Sequence, residues 1–173
     1  MLDEAGAPMQ TSDAQRQLAD LDRELIETNL RAMYAARKRG DSRTWASFFA
    51  PNVKSTIVSA TGAHGFFGTV SGREGMLRSL RQLETEIEVV SIDIIEIVID
   101  ADRAAVRRSV KMRGRGTGKL RAFESFHYYR MDRGLIAEVE QFADTHAINV
   151  ARGVSPAYPA AAHVTVPDRK SVV

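Results

Sequence analysis

The strongest constraint on the fold is a run of four strand-like segments between residues 87 and 143. The segments are rich in β-branched and aromatic residues, and the short turns "DAD", "GRGTG" and "DRG" separate them. Turns of this length join antiparallel neighbours, because a parallel connection needs a dozen or more residues. The sequence therefore predicts an antiparallel meander of "IEVVSIDIIEIVI" (87–99), "RAAVRRSVKMR" (103–113), "KLRAFESFHYYRM" (119–131) and "LIAEVEQFA" (135–143).

The residues before this meander predict three helices and two short strands. Ser12 and Gln15 form a capping-box pattern that begins a long amphipathic helix ending near Gly40. Later segments predict a short aromatic helix (42–49), strands at 53–60 and 66–71, and a third helix that Ser71 and Glu74 cap. We therefore expect an α+β fold in which three N-terminal helices cover one face of a curved, mostly antiparallel sheet.

The length and composition of the chain indicate one domain. A chain of 173 residues buries a sizeable core without disulfides or a structural metal. We expect a flexible N-terminus (1–11), a single α+β domain (12–152) and an extended Pro- and Ala-rich tail (153–173). No apolar run approaches the roughly 20 residues of a membrane helix, and the acidic first residues do not resemble a secretory signal. These features predict a cytoplasmic protein that does not contact a membrane.

Several classes of site are not expected. The chain has no cysteine, and its four histidines lack a close ligand spacing, so we expect no metal and no cofactor. The net charge of +2 gives little support to a nucleic-acid partner. The basic residues concentrate in 103–121, where "MRGRGTGKLR" (112–121) suggests either a hairpin turn or a contact with phosphate. Because a strand and not a helix follows the glycines, the hairpin turn is the preferred interpretation.

Three stretches resemble one known family. The segment "NLRAMYAARKRGDSRTWASFFAPN" (29–52) resembles the opening helices of the ketosteroid isomerase and SnoaL-like group, which has the cone-shaped nuclear transport factor 2-like fold. The segments "SGREGMLRSL" (71–80) and "TGKLRAFESFHYYRMDRGLIAEVEQFAD" (117–144) resemble its third helix and closing hairpin. The resemblance spans about residues 18–150. It implies a cone-shaped pocket for a small apolar or polyketide-like molecule, and the scaffold hosts isomerases, cyclases, epoxide hydrolases, dehydratases and non-catalytic binders.

The family's functional positions are mostly changed in this chain. The resemblance puts the isomerase's general-base aspartate near Ile57, its hydrogen-bonding acid near Phe126 and its helix-one tyrosine next to Tyr34, so these three residues are expected to contact the ligand. Among the positions that activate water in related epoxide hydrolases, Arg108 matches, whereas Gln141 replaces an aspartate. Steroid isomerisation is therefore not expected. The resemblance implies either a small-molecule enzyme of another type or a non-catalytic module for ligand binding or dimerisation.

Strand alternation adds candidates that do not depend on the resemblance. Arg108, Glu124 and Gln141 each stand as a single polar residue on a strand face that is otherwise apolar. A hairpin centred on Gly116 would make Arg108 and Glu124 direct neighbours. The pair is either a structural ion pair or a catalytic pair, with Gln141 completing a ligand site.

The remaining expectations concern loops and the opposite sheet face. His64, in a glycine-rich loop, is expected near the cavity entrance, and His127 is expected on the outer face of the sheet. An apolar outer face predicts a homodimer, with these side chains at the interface: Phe123, Tyr129, Ile136 and Phe142.

Overall fold

Six strands form one curved, open sheet. The computed structural model describes residues 13–58 and 68–154. The strands are β1 (Phe49–Val58), β2 (Gly68–Ser71), β3 (Ile87–Asp100), β4 (Arg103–Gly114), β5 (Leu120–Asp132) and β6 (Leu135–Phe142). Their order is β2-β1-β6-β5-β4-β3, and every described pairing is antiparallel except that between β1 and β6. The predicted meander is confirmed.

Four helices accompany the sheet. They are α1 (Asp13–Lys38), α2 (Ser42–Ser47), α3 (Arg73–Glu86) and α4 (Thr145–Arg152). The inner face of the sheet packs against α1, α2 and α3, and α4 contacts β4 and β5. The α+β fold with three N-terminal helices is therefore confirmed. Within the described residues, no helix is long and apolar enough to cross a membrane.

Two element boundaries differ from the sequence prediction. The strand β1 begins at Phe49, which was expected in the second helix, because Phe49 pairs with Ile136 of β6. The helix α3 begins at Arg73, and its N-cap is Gly72, with a φ of 76° and no side-chain cap. The expected cap at Ser71 is therefore wrong. Both boundaries depend on tertiary pairing, which local patterns do not contain.

The core lies between the helices and the inner face of the sheet. Leu30 and Met33 of α1 are almost completely buried, as are Tyr129 and Ile136 of the sheet. Phe123 also packs inside, near α4. Three of the four side chains expected at an outer dimer face, Phe123, Tyr129 and Ile136, therefore point inward. Phe142 alone of the four is on the outer surface, where it is 44% exposed.

The glycine-rich segment between β4 and β5 forms a hairpin turn. The amide of Gly114 donates to the carbonyl of Lys119 over 3.0 Å, so four residues make the connection. The turn is fixed to the neighbouring helices, because Thr117 donates to the carbonyl of Ala151 and the Arg115 amide donates to that of Glu86. The turn interpretation of this segment is confirmed.

We predict that Gly114→Ala destabilises the protein, because a Cβ at this position would lie 1.8 Å from the Ala151 carbonyl oxygen. Overpacking of this kind costs about 1–3 kcal/mol or more. Gly116→Ala is the matched control, since nothing lies within 4 Å of a Cβ there. Urea unfolding should show a lower free energy of unfolding for Gly114→Ala alone. Equal stability of the two variants would contradict the packing of the turn against α4.

Candidate functional site

A cavity of about 160 Å³ lies between the inner sheet face and the helices. It is similar in size to an engineered cavity of about 150 Å³ that admits benzene. Most of its wall is apolar and includes Met33, Trp45, Phe49, Met76, Val110 and Phe123. The described residues that line it include no aspartate and no glutamate. The cavity therefore suits a compact apolar molecule of about one ring with substituents.

The pairing of β4 with β5 decides which side chains reach this cavity. Arg108 lies opposite Ser125, and Ser109 lies opposite Glu124. The predicted pairing of Arg108 with Glu124 is wrong, because the loop has four residues and shifts the register by one position. Glu124 instead points to the outer surface and accepts a 2.8 Å hydrogen bond from Arg107. This bond lowers the pKa of Glu124, in keeping with a structural ion pair.

The same shift exchanges the two faces of β5. Phe126 lies opposite Arg107 and is 42% exposed, so the expected contact of Phe126 with the cavity is wrong. His127, expected on the outer face, is 5% exposed and lines the cavity. The expected position of His127 on the outer face of the sheet is therefore wrong.

His127 is the centre of a buried hydrogen-bonded cluster. Its Nε2 lies 2.7 Å from Nη2 of Arg108, and its Nδ1 lies 3.0 Å from the Tyr129 hydroxyl and 3.2 Å from the Tyr34 hydroxyl. The two hydroxyls are 2.6 Å apart. Arg108 also donates from Nε to the Ser125 hydroxyl over 2.8 Å, and its guanidinium lies 5.4 Å from the centre of the Tyr34 ring. We call Tyr34, Arg108, His127 and Tyr129 the polar cluster.

Burial keeps the aromatic members of the polar cluster neutral. Desolvation, and then the charge of Arg108, hold the pKa of His127 well below 6.5. Burial also raises the pKa of Tyr34 and raises that of Tyr129 well above 10. At neutral pH the cluster therefore carries one positive charge, on the guanidinium of Arg108.

The direction of each hydrogen bond follows from this neutrality. A guanidinium only donates, so Nε2 of His127 accepts and Nδ1 carries the ring proton. That proton is directed to the tyrosine hydroxyls. One tyrosine then donates to the other, and the second hydroxyl proton has no acceptor among the described residues. The cluster thus offers one phenolic O–H to a molecule in the cavity.

Further polar side chains lie beside the polar cluster, on the neighbouring strands β6 and β1. Gln141 lies opposite His127 on β6, and its amide donates to the Ser55 hydroxyl over 3.1 Å. Ile57 pairs with Gln141 and also lines the cavity. Of the predicted site residues, the structure therefore brings Tyr34, Arg108, Gln141 and Ile57 to one cavity. His64 lies outside the described residues. In the described part of the chain, no cluster of histidine and acidic side chains could hold a metal.

Two features of the strand pairing make the position of His127 difficult to predict from the sequence. The first is the even number of residues in the β4–β5 turn, where Gly118 has a left-handed φ of 68°. The second is an irregularity in the β5–β6 ladder after Arg130, which changes the register between β5 and β6. The alternation of His127 with Phe123 and Tyr129 was the available signal, because three large rings on one strand face indicate burial.

We predict that His127 makes stability fall as the pH is lowered below about 6.5. Its pKa in the folded protein lies below 6.5, so the unfolded chain takes up the proton first. The resulting slope approaches about 1.4 kcal/mol per pH unit. Chemical denaturation between pH 7.5 and 5 should show this loss in the natural chain and a smaller loss in His127→Gln. The same pH dependence in both would contradict a buried neutral imidazole.

Solved structures share this fold. A nuclear transport factor 2-like protein from Burkholderia thailandensis is 25% identical, with a TM-score of 0.64 over 73% of this chain and 95% of that chain. TerC, co-crystallised with polyporic acid, is 20% identical, with a TM-score of 0.66 over 75% of this chain and 98% of that chain. A protein from Catenulispora acidiphila with a ketosteroid isomerase-like fold, in complex with trimethylamine, is 16% identical, with a TM-score of 0.62 over 73% and 93%. No curated protein matches the sequence significantly.

The family model of the SnoaL-like domain matches residues 30–139. This match runs from the middle of α1 through most of β6, and so includes the four members of the polar cluster. The match agrees with the family resemblance of the opening helices and the closing hairpin. The chain belongs to the SnoaL-like domain family.

Proposed function

We propose that this protein binds a small, mostly apolar molecule in the cavity and holds a carbonyl or enol oxygen of that molecule at the polar cluster. The observation that carries the proposal is the phenolic O–H of Tyr34 or Tyr129 that lacks an acceptor among the described residues. A donor that burial keeps protonated suits a carbonyl oxygen. The apolar wall around it supplies the remaining contact surface.

The reaction class that fits such a cluster is enolisation of a bound carbonyl compound, as in an isomerase, a cyclase or a dehydratase. The phenolic O–H would stabilise the enolate oxygen while solvent water accepts the α-proton. A donor aimed at a developing oxyanion lowers the barrier of such reactions. The described cavity wall holds no carboxylate that could serve as the base of a steroid isomerase. Two solved relatives were crystallised with small molecules, polyporic acid and trimethylamine, which supports a ligand role for the fold. The alternative is a module that binds its ligand without a reaction.

The outer face of the sheet supports a second proposal, a homodimer. Phe126 of β5 lies opposite Phe142 of β6, which lies opposite Val58 of β1, and all three are at least 40% exposed. This row, which we call the outer apolar row, crosses three adjacent strands. The charged neighbours Arg107 and Glu124 form an ion pair with each other, so they disfavour the approach of a second chain only weakly. The proposed occupant is the same row of a second chain.

We predict that the phenolic donor decides the affinity for a small ketone. With acetophenone as the probe, the double variant Tyr34→Phe/Tyr129→Phe should bind about tenfold more weakly, because it lacks both hydroxyl donors. Tyr128→Phe is the matched control, since Tyr128 is on the outer face and its hydroxyl accepts from Arg103. Chemical shift titration measures the affinity, and circular dichroism checks the fold. Equal affinity in all three proteins would contradict the proposal.

The same samples in D₂O separate the two kinds of function. Faster exchange of the acetophenone methyl protons in the natural chain than in the double variant supports proton-transfer catalysis. Tight binding without faster exchange supports the non-catalytic module.

For the homodimer, light scattering should give about twice the 19.1 kDa mass of the chain. Phe142→Glu should shift the protein toward the monomer, because it places a charge in the outer apolar row. Val98→Glu is the control, since Val98 is 54% exposed on β3, away from that row. A monomeric natural chain at micromolar concentration would contradict the proposed interface.

A further inference from the structure

The cavity contains a cation whose charge no described residue neutralises. Arg108 donates to the Ser125 hydroxyl and to His127, and its guanidinium faces the ring of Tyr34. All three partners are neutral, so they satisfy hydrogen bonds without cancelling the charge. Among the described residues, no carboxylate forms an ion pair with Arg108.

Unlike Arg108, the second arginine that lines the cavity has a carboxylate partner. Arg37 of α1 lines the same cavity, and its Nη1 donates to the Glu84 carboxylate over 2.7 Å. Its side chain is only 12% exposed, and the carboxylate offsets part of the cost of removing it from water. The buried Arg37, which connects α1 to α3, therefore has a carboxylate partner, whereas Arg108 has none among the described residues.

The hydrogen bonds of Arg108 leave part of the guanidinium available. The group has five N–H donors, and the two described bonds use one at Nε and one at Nη2. The remaining donors belong to the same cavity as the phenolic O–H that lacks an acceptor among the described residues, since Arg108, Tyr34 and Tyr129 all line it. A carboxylate has two oxygens that match a guanidinium fork, and an additional O–H donor strengthens its binding.

We propose that the molecule bound in this cavity is an anion, carrying a carboxylate or an ionised enol oxygen that pairs with Arg108. This inference rests on the proposed ligand-binding function and names the chemical class of the ligand. The apolar wall takes the hydrocarbon part, and the polar cluster takes the charged oxygen. An anion of this kind completes the charge balance that the described cavity wall lacks.

The test compares two probes of almost equal shape, 4-ethylbenzoate and 4-ethylbenzamide. They share the ring and the ethyl group and differ mainly in charge at neutral pH. Titration calorimetry should give at least about tenfold tighter binding of the benzoate to the natural chain, as expected for a charge-assisted bond in a partly buried site. Arg108→Met should abolish this preference, and Arg108→Lys should retain part of it.

Arg107→Met is the matched control, because it removes one cation from the neighbouring position of the same strand but on the outer face. This variant should keep the full preference for the benzoate. If Arg108→Met does not fold, the preference of the natural chain and of Arg108→Lys still decides the question.

Three results would overturn the inference, and they have different meanings. Equal binding of both probes to the natural chain would reject an anionic ligand while leaving the proposed binding function intact. Binding of neither probe would contradict both proposals. A preference for the benzoate that survives in Arg108→Met would also reject the assignment to Arg108.

Discussion

The polar cluster depends on the hydrogen bond from Arg108 to His127. Because a guanidinium has no acceptor, this 2.7 Å bond fixes the proton of the neutral imidazole on Nδ1. The protonated Nδ1 then leaves the two tyrosines with one hydroxyl proton more than they have acceptors among the described residues. One charge on β4 thereby determines the hydrogen-bonding character of a site built from β5 and α1.

The strand β4 places consecutive side chains in two different environments, water on one face of the sheet and the cavity on the other. On β4, Arg107 and Arg108 are consecutive, yet Arg107 forms an exposed ion pair and Arg108 lies on the cavity wall. An exposed pair contributes little to stability because water screens it. A cation beside a desolvated cavity interacts strongly with any opposite charge that enters. The same residue type therefore has different consequences on the two sides of the sheet.

The fold indicates the family of this chain, whereas the side chains in the cavity indicate its chemistry. The SnoaL-like match and the solved structures identify the scaffold, and at 16–25% identity the three structures say little about chemistry. The function therefore depends on the side chains that this chain places in its own cavity. Its distinguishing features are a neutral buried histidine, paired tyrosine hydroxyls and an arginine without a described carboxylate partner.

The sequence by itself determined the order of the elements and most of their bounds. Helical and alternating periods are local, so α1 and the strands of the meander could be predicted, together with Arg108 and Gln141 on their inner faces. The sequence did not determine which side chains of β5 point into the cavity and which point to the outer surface. A four-residue turn sets the register of β4 with β5, an irregularity after Arg130 changes that of β5 with β6, and a one-residue shift reverses every side chain of a strand. Only the tertiary structure therefore decided that His127, and not Glu124, lies beside Arg108, since the pairing of strands depends on contacts that no local pattern records.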